Sequence, residues 1–329
     1  MRQHTACKHL LFSIVLLLAL PCFALPKQDM QQPASQPSGY AIRSSVDLVV
    51  LRATVRDHNG APVAGLSKQD FQVFEDKVPQ QIESFSHEDV PVTVGLVIDN
   101  SGSMLSKRSD VIDAALAFAR SSNPEDQVFV VNFNEHVSMG LPSDVPFTGN
   151  QAELEVALSK NKADGMTALY DAVAVALEQI KRGRWDKKVL VVISDGGDNA
   201  SRHTLSQIMS MVNQSSVSIY TLGIFDENDG DRNPHVLKEL SKASGGEAFF
   251  PETLSQVLPI CEQIARDIRN QYTITYEPTN KKSDGTYRTI EVKARRIRGR
   301  GRLTVSTRAG YNAPLKNPAP ANGSLGRQP

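Results

Sequence analysis

The chain has 329 residues, a length that predicts two domains or one domain with additions, and its 40% hydrophobic content is ample for a packed globular core. Lys plus Arg and Asp plus Glu stand equal at 36 each. No overall charge therefore draws the molecule toward nucleic acid or a membrane surface.

Arg2 and Lys8 flank the start of an apolar run over residues 10–20 that is too short to span a bilayer comfortably. Cys22-Phe23-Ala24 then ends in a small residue suited to signal peptidase. Residues 1–24 are expected to be an export signal, with the mature chain beginning near Leu25 and lying in the periplasm, on the outer surface or outside the cell. No membrane span is expected after signal removal. Pro21 directly before Cys22 argues against lipoprotein processing, where a small residue is expected, although Cys22 leaves that route open. Cleavage after Ala24 leaves Cys261 alone of the three cysteines, so no intrachain disulfide can form. Cys261 lies in an apolar helical pattern and reads as a buried structural thiol. Residues 25–44, rich in Gln, Pro and Ser, read as a flexible leader, and residues 312–329, rich in Pro, Asn and Gly, as a disordered tail.

Residues 45–90 read as short strands and turns: 46–55 is β-like, Asp57-His58-Asn59-Gly60 is a strong turn, and 63–76 and 81–85 continue the pattern. Between 91 and 270 the pattern changes. Apolar strands over 92–98, 127–133, 188–193 and 217–223, with 248–250 as a last edge strand, are separated by helical patterns over 105–120, 153–158, 169–182, 205–213, 235–243 and 254–269. Strands separated by helices predict an α/β fold, a doubly wound and mostly parallel sheet with helices on both faces. Residues 271–311 return to strands, over 271–276, 287–294 and 302–307. Each terminal set is too small to bury a face alone. The segments 45–90 and 271–311 are therefore expected to pair into one small β-sandwich, with the α/β domain inserted between them.

Oxygen-bearing residues gather at three places in the α/β region. The apolar strand ending at Ile98 runs into Asp99-Asn100-Ser101-Gly102-Ser103, and the one ending at Ile193 runs into Ser194-Asp195-Gly196-Gly197-Asp198. Between them, Asp164-Gly165-Met166-Thr167 opens a helical pattern. Singly, each is ordinary, because Asp and Ser cap helices, Ser-Asp-Gly-Gly is a common turn and Thr167 suits a helix cap. Together they precede helical patterns in the order a doubly wound sheet requires, at the strand ends where such sheets bind ligands.

In this order and setting the motifs resemble the von Willebrand factor A domain, over roughly residues 92–269 on a domain-size scale. The resemblance implies a Rossmann-like fold and a metal-ion-dependent adhesion site, with Asp99, Ser101, Ser103, Thr167 and Asp195 holding Mg2+, or else Mn2+ or Ca2+. A hard divalent cation takes about six oxygens and gives up its waters reluctantly, so a protein supplies only part of the shell. Three of the implied ligands are neutral hydroxyls, which leaves the cation electrophilic toward an outside carboxylate, and nearby helix N-terminal N–H groups favour an anion in front of it. The implied partner is a protein that presents an Asp or Glu carboxylate, and the implied role is cation-dependent adhesion or assembly without catalysis. The whole layout also resembles acidobacterial-type secreted proteins described as von Willebrand factor A related, for which binding and assembly at or outside the envelope is implied.

Two other classes remain open. An envelope structural protein could carry the same motif as a vestige. A metal-dependent hydrolase on a similar sheet would want a second carboxylate two residues after Asp99, where Ser101 stands, and no Gly-x-Ser-x-Gly elbow is present. Asp171, Asp198 and Asn199 read as polar groups of a helix and a turn. The basic run from Arg295 to Arg302 reads as a solvated hairpin turn, and Asp226 to Asp231 as a loop on the rim of the metal face that lacks the bidentate Glu of a calcium loop. The seven His and Cys261 form no zinc spacing.

Overall fold

The computed structural model describes residues 48–120, 123, 125–225, 230–296 and 301–315. The expected export signal and leader lie outside the described residues, as do 226–229 of the acidic loop, 297–300 of the basic run and the tail from 316.

Four strands come first, β1 (Val49–Arg56), β2 (Phe71–Glu75), β3 (Val78–Gln80) and β4 (Ile82–Ser86). The α/β region follows as β5 (Thr93–Asp99), α1 (Arg108–Arg120), β6 (Gln127–Phe133), β7 (Val137–Met139), α2 (Gln151–Ser159), α3 (Leu169–Ile180) and β8 (Lys188–Ser194). It continues through α4 (Leu205–Gln214), β9 (Ser218–Gly223), α5 (Pro234–Ser244), β10 (Ala248–Phe249) and α6 (Val257–Arg269). The strands β11 (Tyr272–Tyr276), β12 (Tyr287–Ala294), β13 (Thr304–Ser306) and β14 (Gly310–Asn312) close the chain.

The α/β region forms one six-stranded sheet in the order β10-β9-β8-β5-β6-β7, parallel except for β7. Every residue of β5 is buried, as expected for a central strand covered on both faces. Its Gly95 has a packing reason, since a Cβ there would lie 2.4 Å from the Phe129 ring and 2.5 Å from the Leu190 side chain. Val94, Leu96, Val130, Val191 and Ile219 form the sheet's share of a core closed by Phe118, Leu177, Leu237 and Ile264 from the helices. Each such side chain, fully buried, contributes roughly 1.5–3 kcal/mol. The chain leaves β5 toward β6 on one side and returns to β8 on the other. The carboxyl ends of β5 and β8 therefore form the switch point where open α/β sheets bind ligands.

The flanking strands make two antiparallel sheets, β13-β1-β11-β4 and β14-β12-β2-β3. Val49 of β1 faces Tyr276 of β11, and Glu75 of β2 faces Ile290 of β12, so strands from before and after the α/β region pair in both sheets and alternate in the first. Leu51, Val55, Phe71, Val73, Tyr272 and Ile290 share one apolar core, which makes the two sheets a sandwich. The buried carboxylate of Glu75 is satisfied inside it by the Tyr276 and Tyr311 hydroxyls, at 2.7 and 2.9 Å, and by Arg288 at 3.3 Å. Arg56 of β1 ties the sandwich to the α/β region, donating to Glu247 at 2.9 Å and to Asp267 of α6.

The structure departs from the sequence reading in several places, among them the start of α6 at Val257 after a 3-10 turn over Leu254–Gln256. Helix α1 starts at Arg108 and not at 105, because Gly102–Met104 first winds into a 3-10 turn. The antiparallel edge strand β7 went unpredicted, its three residues being only partly buried and carrying no alternation. Of the segment expected to be tail from residue 312, the described part is ordered into the sandwich: Ala313 is buried and its N–H donates to Thr286 O at 2.9 Å, and Leu315 bridges to Asp284. Among the described residues no helix is long and apolar enough to cross a membrane.

Candidate metal centre

Because β5 and β8 are adjacent and parallel, Asp99 and Asp195 leave the sheet side by side. Asp99 Oδ1 accepts from the Ser101 N–H at 2.8 Å, and its Oδ2 accepts from the Ser194 hydroxyl at 2.6 Å. The Ser101 and Ser103 hydroxyls lie 3.1 Å apart, and the Ser103 hydroxyl donates to Asp195 Oδ2. Asp195 Oδ1 is held in turn by the Gly197 N–H at 3.0 Å. Gly196 makes the turn that allows this. It has φ 81°, and a Cβ there would lie 2.4 Å from the Asn233 carbonyl oxygen.

Thr167 reaches the same place from a third loop. The Gly102 N–H donates to Gly165 O at 3.1 Å, joining that loop to the Ser101–Ser103 turn. On the other side the Asn199 and Ala200 N–H groups donate to Thr167 O at 2.9 and 3.0 Å, while the Thr167 N–H donates to Asn199 Oδ1 at 2.8 Å. Thr167 is thus clamped between the loops that carry the serines and Asp195. Its hydroxyl makes no hydrogen bond to another described residue.

The electrostatics are unbalanced. Asp99 and Asp195 are 3% and 2% exposed, and among the described residues neither pairs with a basic side chain. Burial first, and then the charge of Asp195, push the Asp99 carboxyl from its ordinary 3.8 up to about 6. Burial and the neighbouring Asp195 charge disfavour the ionised form of Asp99, and a divalent cation held at this place would relieve both effects. The donor set is all oxygen, two carboxylates and three hydroxyls, which fits a hard cation of the Mg2+ kind. Among the described residues no group of three or more His, Cys, Asp and Glu is placed to hold a metal ion, and at this place most of the candidate oxygens are hydroxyls.

Sequence reasoning missed the groups that hold these residues in place. Ser194 fixes Asp99. Helix α3 is capped from outside its own chain segment: its N-cap residue Ala168 has no capping side chain, so the Tyr170 N–H donates to Asp198 Oδ2 at 2.8 Å and the Asp171 N–H to Ser201 Oγ at 3.0 Å. Asp198 also accepts from the Ser201 hydroxyl at 2.6 Å. Asp171 accepts from the Arg202 and His203 N–H groups, each at 3.0 Å. Asp171, Asp198 and Asn199 are thus more than polar groups of a helix and a turn, since they lock the Thr167 loop to the Asp195 loop. The available signal was an α3 start without a capping residue, which requires a cap from elsewhere. Of the acidic loop, Asp231 accepts from Asn199 Nδ2 at 3.1 Å. Of the basic run, the Arg295 N–H donates to Asp70 O at 2.7 Å. Cys261 is buried and unpaired, and burial pushes its thiol up to about 12, as suits a structural thiol.

Residues 94–197 match the family model of the von Willebrand factor type A domain. A curated relative, the uncharacterized protein sll0103 of Synechocystis sp., is 21% identical over 184 residues, which are 55% of this chain and 42% of the relative. The chain thus spans less than half the length of the curated relative it matches. Among solved structures, a von Willebrand factor type A protein from Catenulispora acidiphila is 14% identical with a TM-score of 0.49, covering 83% of this chain and 75% of its own. The conserved hypothetical protein BatB from Bacteroides thetaiotaomicron is 16% identical, with a TM-score of 0.43 over 54% of this chain and 98% of its own. Proximal thread matrix protein 1 from the mussel byssus, with a zinc-occupied MIDAS motif, is 14% identical, with a TM-score of 0.48 over 59% of this chain and 49% of its own.

Proposed function

This chain carries a von Willebrand factor type A domain, and from that premise we propose that it is a divalent-cation-dependent binding module that captures a carboxylate of a protein partner. Asp99, Ser101, Ser103, Thr167 and Asp195 would hold Mg2+, or else Mn2+ or Ca2+, through side-chain oxygens. The observation that carries this reading is the burial of Asp99 and Asp195 side by side, linked through Ser101 and Ser103, with neither carboxylate in an ion pair with a basic side chain among the described residues. When bound, the cation supplies a centre of positive charge that two carboxylates and three neutral hydroxyls leave attractive to one more anionic oxygen. Ser194 holds the Asp99 carboxylate at the strand end, and Asn199 keeps the Thr167 loop in place.

Binding is favoured over catalysis because Ser101 stands where a hydrolase of this architecture would need a second carboxylate. The export signal expected at residues 1–24 supports a role in adhesion or assembly at the envelope or outside the cell. In the same reading, residues 91–270 are an insertion in the sandwich built from 45–90 and 271–311.

Calorimetry with Mg2+ on the mature protein tests the site. One ion should bind per chain, and Asp99→Ala should abolish the heat while the circular dichroism spectrum is kept. No heat and no thermal shift with Mg2+ or Mn2+ from a folded wild type refutes the site. A pull-down from envelope extract in Mg2+ against chelator tests the partner, and capture undiminished in chelator refutes cation-dependent binding.

A further inference from the structure

Asn100 stands between Asp99 and Ser101 and is 1% exposed. Its Oδ1 accepts from the Arg108 guanidinium, and its Nδ2 donates to Ile98 O and to Asn132 Oδ1, each at 3.1 Å. Its backbone is held as well, the N–H by Phe133 O at 2.6 Å and the carbonyl by the Asp164 N–H at 2.9 Å. A residue fixed at all these groups leaves its two neighbours little freedom, and both neighbours are proposed ligands.

The two side chains that grip this amide share a second anchor. Arg108 donates to Leu158 O and Ser159 O, at 3.5 and 3.2 Å, and Asn132 donates to Ala157 O at 2.8 Å. These are three successive carbonyls in the last turn of α2, where a helix leaves its carbonyls without partners of its own. An arginine at a helix C-terminus is ordinary, and so is a satisfied buried amide. Here one ring of hydrogen bonds joins both to the ligand turn. The charge of Arg108 is no help to that turn: among the described residues its hydrogen bonds go to neutral oxygens, and a fixed cation beside a cation site opposes loading. What Arg108 contributes there is geometry.

We propose that Arg108 and Asn132 are positioning residues that set the cation affinity of the centre from the last turn of α2. This rests on the cation-binding reading above. It adds how that site is controlled: a formed helix end holds Asn100, and Asn100 holds the Asp99–Ser101 turn in the shape that receives the ion. By linkage, an ion that favours the formed turn must favour the formed helix end to the same degree.

The test is calorimetry with Mg2+ on the full mature chain, as wild type and as Arg108→Met. Leu116→Ala, in the core face of α1, is the control that disturbs packing without touching the ring. Arg108 is only partly buried, so its variant should fold, and urea unfolding in chelator compares the stabilities of the two variants. Lost positioning should weaken Mg2+ binding by about 10- to 100-fold in Arg108→Met. Loss of a nearby positive charge alone would tighten it, so the sign decides between the two. Leu116→Ala should bind as the wild type does. Hydrogen exchange gives the reciprocal readout: saturating Mg2+ should slow exchange over residues 154–159 in the wild type and leave it unchanged in Arg108→Met. With normal Mg2+ heat in the wild type, three results overturn this proposal and leave the centre standing: equal or tighter binding in Arg108→Met, an equal loss in Leu116→Ala, or no slowing over 154–159. Absence of Mg2+ heat in a folded wild type overturns the centre and this proposal with it.

Discussion

The cap on α3 offers a direct way to ask whether Thr167 belongs to the metal centre. Asp198 accepts the Tyr170 N–H in the first turn of that helix and lies on the loop that carries Asp195. Asp198→Ala removes a capping acceptor, worth about 1 kcal/mol, and a negative charge at a helix N-terminus, worth about 0.3–1 kcal/mol, so the chain should lose roughly 1.3–2 kcal/mol of stability. Ala168 has no capping side chain to take over. Ser201→Ala, which frees only the Asp171 N–H and the hydroxyl bond to Asp198, should cost about 1 kcal/mol. The same loss loosens the clamp between the Thr167 and Asp195 loops. Groups that orient ligands from behind typically alter metal affinity by about 10- to 100-fold, and Mg2+ affinity in Asp198→Ala should fall within that range.

Urea unfolding in chelator measures the first effect, and calorimetry with Mg2+ on the folded variant measures the second. High salt should narrow the stability gap, because the helix-end charge effect is screened. If Asp198→Ala is destabilised as expected but binds Mg2+ with unchanged affinity, Thr167 is not a ligand held through this loop. If its stability stays within about 0.5 kcal/mol of wild type, the cap is supplied from elsewhere and the bracing role is refuted.

Two further outcomes follow from the supporting structure. Lys187 is buried under the end of α6, where it donates to Ile268 O, and burial, followed by the charges of Arg52 and Arg269, lowers its ammonium from 10.5 to about 7. The folded chain therefore binds fewer protons than the unfolded chain between those two values, so stability should rise with pH across that window, by on the order of 3 kcal/mol from this group. Lys187→Met should remove that rise in a series of unfolding curves from pH 7 to 10, and identical slopes in the two proteins refute the assignment. Ending the chain at residue 270 removes β11 and β13 from beside β1, and β12 from beside β2. Limited proteolysis should then digest residues 48–86 while residues 92–269 keep their helical dichroism, and a resistant N-terminal fragment would refute the insertion.

What could be read from the sequence follows from which positions leave chemistry a choice. The central strands were legible because a parallel strand covered on both faces is mostly apolar, and 189–193, Val-Leu-Val-Val-Ile, reads that way residue for residue. The interleaving of terminal strands was legible from insufficiency, since β1 to β4 could not bury Phe71 and Val73 without β11 and β12. β7 was not legible, because three half-covered edge residues carry neither alternation nor an apolar run. Helix α1 was read three residues too early because Leu105 and Met104 continue its apolar pattern, while the 3-10 turn turns Met104 into the core and Leu105 into water.

The same distinction runs through the candidate site. Asp99, Ser101, Ser103, Thr167 and Asp195, the proposed ligands, stand out in sequence because a hard cation would demand oxygen at fixed places after a strand or before a helix, and few other residue types would meet that demand. Ser194, Asp198, Asn199 and Ser201 are equally ordinary polar residues by local context, and each acts on a residue about 30 or more positions away in the chain. Their roles arise only once the folded sheet sets the β8 loop against the starts of β5's turn and α3. A residue that meets a cation's requirement can be recognised by its own type and neighbours. One that meets another loop's unpaired N–H needs the loop to be present first, so the bracing half of the site becomes visible only in three dimensions. That dependence also explains why substitutions among the bracing residues should alter stability and affinity together, whereas Asp99→Ala should separate them.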